Sequence, residues 1–254
     1  MNSQMTSPEL HEPKSILEHV GELRRKLLIA LGAFVVGAVI SHIFHKEIIA
    51  FLLQPAGGQN LIFLSPLEPL FFIFKIDSIG GIIIAFPIII WSLFSYISPA
   101  LSKKANNLVF FFYVTSTLLL FISLIYAFFV TIPISLKFLF SIDIVGIENN
   151  FSVEKYLGFL ITQAFIIMAV FQLPILIIGG VYLGLIKTKL LASKRRYIYF
   201  ILLVALAVIT PTADVFSLGI IFVPCLTIFE ISLLGGKIVE KMKKNKKEQE
   251  LLSP

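Results

Sequence analysis

The chain is poor in the residues on which soluble enzymes and disulfide scaffolds depend. Its 254 residues include one cysteine, Cys225, which excludes an internal disulfide and leaves a cysteine-based metal site without a second ligand. Four histidines, His11, His19, His42 and His45, are scattered with no HExxH among them, so the sequence offers no metal motif. There is no P-loop, no GxGxxG and no GxSxG. No nucleophile–base constellation emerges either, so the chain implies no cofactor and no enzyme. Charge is also scarce: Asp, Glu, Lys and Arg make up 14% of residues, against about 25% in an average soluble domain. No internal repeat divides the chain into similar halves, which weakens a secondary-transporter reading.

What is abundant is apolar. Hydrophobic residues reach 57%, with 25 Phe among them, and the mean hydropathy is +0.95. A soluble protein of this composition would expose surface that aggregates, and a disordered one would lack this much surface to bury. The composition predicts an all-α, multi-spanning membrane protein forming one domain over 1–254. Residues 1–26 form a polar head, 27–235 a six-span bundle and 236–254 a basic tail.

Along the chain, Ile16, Leu17, Val20, Leu23 and Leu27 recur at spacings of three and four, which predicts an interfacial helix over Ser15–Lys26 feeding the first span. That span runs from Leu27 to Phe44 without a charge, enough to cross about 30 Å of hydrocarbon. Residues 45–77, punctuated by Pro55, Gly57, Gly58, Pro66 and Pro69, read as an outer loop with short helical pieces. Span 2 is expected over 78–97, span 3 over 108–130, a second outer loop over 134–156, and a kinked or tilted span 4 from Tyr156 to Ile186 around Pro174. Span 5, Tyr197–Thr210, covers only about 21 Å. Span 6 is expected over 215–235, and spans 5 and 6 are read as short. The Gly pairs at 57–58, 80–81, 179–180 and 235–236 are turn or close-packing features.

The net charge of +6 and the pI of about 9.3 concern topology rather than nucleic acid. With six spans both termini share one side, and assigning that side as cytoplasmic collects 17 of the 21 basic residues there, leaving Lys46, Lys75, Lys137 and Lys155 outside. The positive-inside rule then predicts N-in, C-in. Arg24-Arg25-Lys26 before an apolar run resembles a twin-arginine leader. The run is longer than the usual leader core, however, and no small-x-small cleavage site follows it.

A few polar residues demand an account. Glu22, beside Arg24 and Arg25, is either an interfacial ion pair or a carboxylate that receives a cationic ligand. Gln172, within Ala169-Val170-Phe171-Gln172-Leu173-Pro174, either ties helices together or lines a translocation path. Glu230, ionisable within span 6, is either a functional group in the span or, near its inner end, a residue that reaches the interface. Asp214 suits the N-cap of span 6, and His42 is interfacial. One reading of Gln172 and Glu230 together is a small-solute or ion permease with midplane ligands.

Five segments resemble the TatC family, the multi-spanning receptor subunit of the twin-arginine protein translocase. His19-Val20-Gly21-Glu22-Leu23-Arg24-Arg25-Lys26-Leu27 is similar to the family's HLxELRxRL. Pro66-Leu67-Glu68-Pro69-Leu70-Phe71 with Lys75 resembles its first outer loop. Trp91 with Tyr96-Ile97-Ser98-Pro99-Ala100-Leu101 resembles WxFIxPGL, Phe171-Gln172-Leu173-Pro174 resembles FExP, and Thr210-Pro211-Thr212-Ala213-Asp214-Val215-Phe216 resembles the TPPDxxSQ hairpin. The resemblance implies a concave six-helix bundle in the cell membrane, a signal-peptide site at Glu22, Arg24, Tyr96 and Lys103, and partner-helix docking or a translocation path at Gln172, Pro174 and Asp214. It also implies twin-arginine signal peptides and single-span TatA/TatB-like subunits as partners, self-association in a receptor complex, and the proton-motive force as the energy source. Ala105 stands where the family has a Glu in the arginine site, and Gln172 stands where a Glu is commoner.

Overall fold

The computed structural model describes residues 16–97, 106–142, 150–210 and 215–252. Helix α1 (Ile16–Ile43) is continuous. The amphipathic stretch expected to lie in the interface is therefore the first part of the same helix, because no Pro or turn residue separates it from the apolar run. A short α2 (His45–Leu53) follows, then a 3-10 turn over Gln54–Ala56 that closes at Gly57, whose φ of 60° favours glycine. Strand β1 (Leu61–Ile62) leads to α3 (Glu68–Ile97).

Helix α3 starts ten residues before the expected span. Pro69 occupies its first turn, where a missing N–H costs nothing, and Glu68 reaches back to accept a bond from the Leu64 N–H at 2.7 Å. Helix α4 (Asn106–Tyr126) passes through a π-helical turn, Ala127–Thr131, into α5 (Ile132–Phe140). The third apolar element thus outruns its expected end at Val130. The extra residue of the π turn accommodates Pro133, which would break a regular helix at this point.

Strand β2 (Phe151–Ser152) pairs in parallel with β1, Leu61 opposite Phe151 and Ile62 opposite Ser152. Helices α6 (Val153–Phe171) and α7 (Leu173–Tyr182) form one long element broken at Gln172, just ahead of Pro174. This is the expected kink. A short α8 (Thr188–Ser193) precedes α9 (Arg195–Ile209), whose 15 residues span about 22 Å. Helix α10 (Val215–Leu252) has 38 residues. The expectation of a short sixth helix is corrected here, since the Lys- and Glu-rich tail contains good helix formers and continues the same helix.

Among the described residues, five stretches are long and apolar enough to cross a membrane: Val20–Ile43, Glu68–Tyr96, Val109–Phe140, Val153–Tyr182 and Val215–Asn245. The fifth expected span, α9, falls short of that length.

Helix α6 is the central post. Its Ile166, Ile167, Val170 and Phe171 pack with Ala127, Leu206, Ile221 and Cys225. One to two turns earlier, Tyr156, Phe159 and Leu160 pack with Ala56, Ile132 and Leu136. At the start of the helix, Val153 and Leu157 meet Phe72 and Ile76 of α3. The same end is stitched by polar contacts: Lys75 Nζ to Glu154 Oε1 at 2.7 Å, and the Tyr156 hydroxyl donating to the Leu52 carbonyl at 2.8 Å. By contrast α1 leaves Leu27, Leu28, Leu31, Val35, Val36 and Val39 exposed. A helix with this much exposed apolar surface is facing lipid.

Candidate functional site

Two small-residue faces bring α1 and α3 together as an antiparallel pair. A Cβ on Gly37 would lie 2.7 Å from the Gly81 carbonyl oxygen, and one on Gly81 would lie 2.9 Å from the Ala38 nitrogen. The two backbones touch where no side chain intervenes, which is how membrane helices gain contact without a hydrophobic drive. Ser41 packs on Gly80 and donates to the Ile76 carbonyl at 3.4 Å. His42 Nδ1 lies 2.8 Å from Asp77 Oδ2, so the interfacial His42 is tied to a carboxylate of the neighbouring helix.

The same register carries to the other end of the pair. There the Lys26 ammonium donates to Ser95 Oγ at 2.7 Å. Glu22 lies one turn before Lys26, and Tyr96 follows Ser95 directly. The start of α1 and the end of α3 therefore bring Glu22, Arg24, Arg25 and Tyr96 to one end of the molecule. Glu22 is half-buried, and Arg24 and Arg25 are exposed. Nearby on α3, Trp91 meets Tyr113 of α4 edge-on at 5.0 Å between ring centroids. A carboxylate and an aromatic residue at the same end are groups that can take a guanidinium, the first by bidentate bonding and the second by its ring face. Lys103, Ala105 and the Pro99 motif lie outside the described residues.

Gln172 sits at the joint of α6 and α7. Pro174 has no N–H and crowds the carbonyl four residues back, so the helix opens there. The Gln172 side chain fills the opening by bonding α4 twice. Ser116 Oγ donates to its Oε1 at 2.6 Å, and its Nε2 donates to the Ser116 carbonyl at 3.3 Å. Of the two readings of Gln172, the inter-helix tie is realised. Asp214, expected to cap the last helix, lies outside the described residues.

Glu230 is likewise committed. It accepts from Arg195 Nη2 at 2.8 Å and from the Tyr199 hydroxyl, fastening α9 to α10. Both residues offered as midplane ligands for a permease are thus engaged by neighbours within the chain. Reasoning from sequence missed Ser116, Arg195 and Tyr199, because each partner is at least 31 residues distant and none stands out locally. Further along α10, Glu240 bonds the Thr188 hydroxyl and Lys243 bonds the Tyr182 carbonyl, clasping the turn between α7 and α8. Among the described residues, no group of three or more His, Cys, Asp or Glu is placed to hold a metal ion.

Residues 18–224 match the family model for the Sec-independent protein translocase protein, TatC. The chain is 32% identical over 235 residues to TatC of Aquifex aeolicus, covering 90% of this chain and 97% of that one. It is 30% identical to TatCy of Bacillus subtilis, covering 88% and 89%. A crystal structure of the twin-arginine translocase receptor TatC superposes with a TM-score of 0.76 at 32% identity, covering 87% of this chain and 99% of that one. The motifs, the apolar helices and these likenesses agree, and the chain belongs to the TatC family, the multi-span membrane proteins of Sec-independent protein translocation.

Proposed function

We propose that this chain is the receptor subunit of a twin-arginine translocase. It binds the arginine pair of a signal peptide at its cytoplasmic face and, with single-span TatA/TatB-like subunits, exports folded proteins across the cell membrane. The observation that carries this reading is the Lys26–Ser95 bond, which brings the start of α1 and the end of α3 to a single end. There Glu22 receives a guanidinium of the signal and Tyr96 offers its ring, while Arg24 orients the Glu22 carboxylate. Lys103 completes the site from the following loop. With Ala105 in place of an acid, Glu22 carries more of the arginine recognition than it would beside a second carboxylate.

In this reading the chain has six spans with both termini cytoplasmic, supported by the 17 basic residues that this arrangement gathers on one side. Helix α9 is the fifth span, and its short length requires either a locally thinned bilayer or a hairpin tip below the far interface. Gln172 and Pro174, with Asp214 at the hairpin, form the place where a partner's helix docks. Receptor chains self-associate in the complex. The sequence has no ATP-binding motif, and the proton-motive force is the energy source that the family resemblance implies.

Glu22→Ala is expected to abolish photocrosslinking of a twin-arginine precursor to the cytoplasmic face while the protein still reaches the membrane at normal levels. Unchanged crosslinking and export of a folded reporter would refute the role given to Glu22.

A further inference from the structure

Helix α6 contains a second glutamine, Gln163, which the signal-peptide and docking sites do not use. Ten residues past Val153, it lies about 15 Å along the helix, a third of the way through the apolar stretch Val153–Tyr182. It is fully buried, and neither its Oε1 nor its Nε2 has a partner in the protein. Two hydroxyls share this state: Thr131, at the end of the π turn, and Ser135, one helical turn further on the same face of α5.

The packing on either side of them puts these three side chains at neighbouring levels of the bundle. On α6, Gln163 falls between Leu160, which packs on Ile132 and Leu136, and Ile166 and Ile167, which pack against the cluster holding Ala127. On the facing element, Thr131 falls between Ala127 and Ile132. Two antiparallel segments pinned on both sides in this way put Gln163 at the level of Thr131, with Ser135 one turn along the same face.

Several other helical hydroxyls bond carbonyls of their own helix. Ser123 donates to the Leu120 carbonyl at 2.6 Å, Thr227 to that of Val223 at 2.9 Å, Ser232 to that of Ile228 at 2.5 Å, and Thr210 to that of Leu206. Thr131 and Ser135 do not. Polar groups left unpaired at hydrocarbon depth are costly, and a full complement of four atoms here needs a shared partner. No side chain of another protein reaches a fully buried site. A water molecule does, and it requires two to four polar neighbours, which this cluster provides. The apolar cavity of about 380 Å3 walled by Ala127, Ile132, Leu160 and Ala164 borders the same helices. Its greasy lining does not hold water, so the polar trio is where water stays.

We propose that Gln163, Thr131 and Ser135 form a buried water-binding site, in which ordered water bridges α6 to the π turn and α5. The test uses the full chain in lipid nanodiscs, imaged at a resolution that shows ordered water. Density within hydrogen-bond distance of the Gln163 amide and of at least one of the two hydroxyls is expected. A dry site, with the amide bonded directly to Thr131 or Ser135, overturns the proposal.

Thermal unfolding of Gln163→Leu, Thr131→Val and the double variant gives a second measurement. Shared water couples the two positions. Each single change is expected to lower the midpoint by about 2–4 °C, and the double should fall no further than the worse single. Single changes that leave the midpoint unchanged or raise it, or losses that add in the double variant, overturn it.

Discussion

At the scale of the residue, Gln172 has an opening made for it by the neighbouring proline and fills it with a two-point bond to Ser116. An amide can both accept from the Ser116 hydroxyl and donate to its carbonyl, which an ionised carboxylate cannot do. The residue is therefore suited to a structural tie as well as to docking a partner. Inter-helix bonds of this kind average about 0.6 kcal/mol and reach about 1.7 kcal/mol in membranes. Ser116→Ala, which strands the Gln172 oxygen, is expected to lower the unfolding midpoint by a few degrees in detergent and to leave the helix count by circular dichroism unchanged. Gln172→Leu is expected to lose a similar amount and, in addition, to weaken co-purification with the single-span subunit. If Ser116→Ala and Gln172→Leu affect co-purification equally, the docking role falls and only the tie remains. Gln172 stands out in the sequence because an amide in an apolar run is conspicuous. Ser116 does not, since serines are ordinary in helices and the pair is separated by 56 residues.

At the scale of the element, prolines and glycines act by position rather than by type. Pro69 begins α3, Pro87 and Pro224 are carried inside α3 and α10, Pro133 is absorbed by a π turn, and Pro174 opens a joint. Read as punctuation, Pro69 and Pro133 imply loops where the structure has helix. Neighbouring helices in a bundle restore what a proline removes, so tertiary packing overrides the local signal. The glycines divide in the same way. At Gly37 a methyl group would strike the Gly81 backbone, whereas at Gly32 it would meet open space. Gly37→Ala is expected to loosen the α1–α3 pair, seen as a lower unfolding midpoint and a reduced disulfide yield between cysteines placed at positions 26 and 95. Gly32→Ala should be neutral or slightly stabilising. Equal behaviour of the two variants would mean that the close approach contributes nothing.

At the scale of the whole molecule, five long apolar helices and one short helix leave the topology dependent on α9. Arg195 and Tyr199 anchor α9 to Glu230 at its first turns, and Leu206 joins the main core cluster near its end. This seats α9 along the bundle despite its short length. Alkaline phosphatase fused after residue 58, within 143–149 or at residue 212 is expected to be active. Fusions at residue 185 or after residue 252 are expected to be inactive. Activity at residue 252 would mean an odd number of crossings and would remove the six-span arrangement. The extension of α10 past the bundle is clasped to the α7–α8 turn by Glu240 and Lys243, which ties the first part of the basic tail to the bundle.

The sequence by itself determined the membrane class, the order of the long apolar segments and the motifs that mark the family. All of these depend on composition and on short-range pattern, since hydropathy and charge add up along the chain. The tertiary structure decided which polar groups answer one another: Gln172 with Ser116, Glu230 with Arg195 and Tyr199, His42 with Asp77, and Lys26 with Ser95. These pairings join residues 31 to 69 positions apart. In a medium that offers polar groups no partner, they depend on which helix faces pack together, which no local pattern encodes.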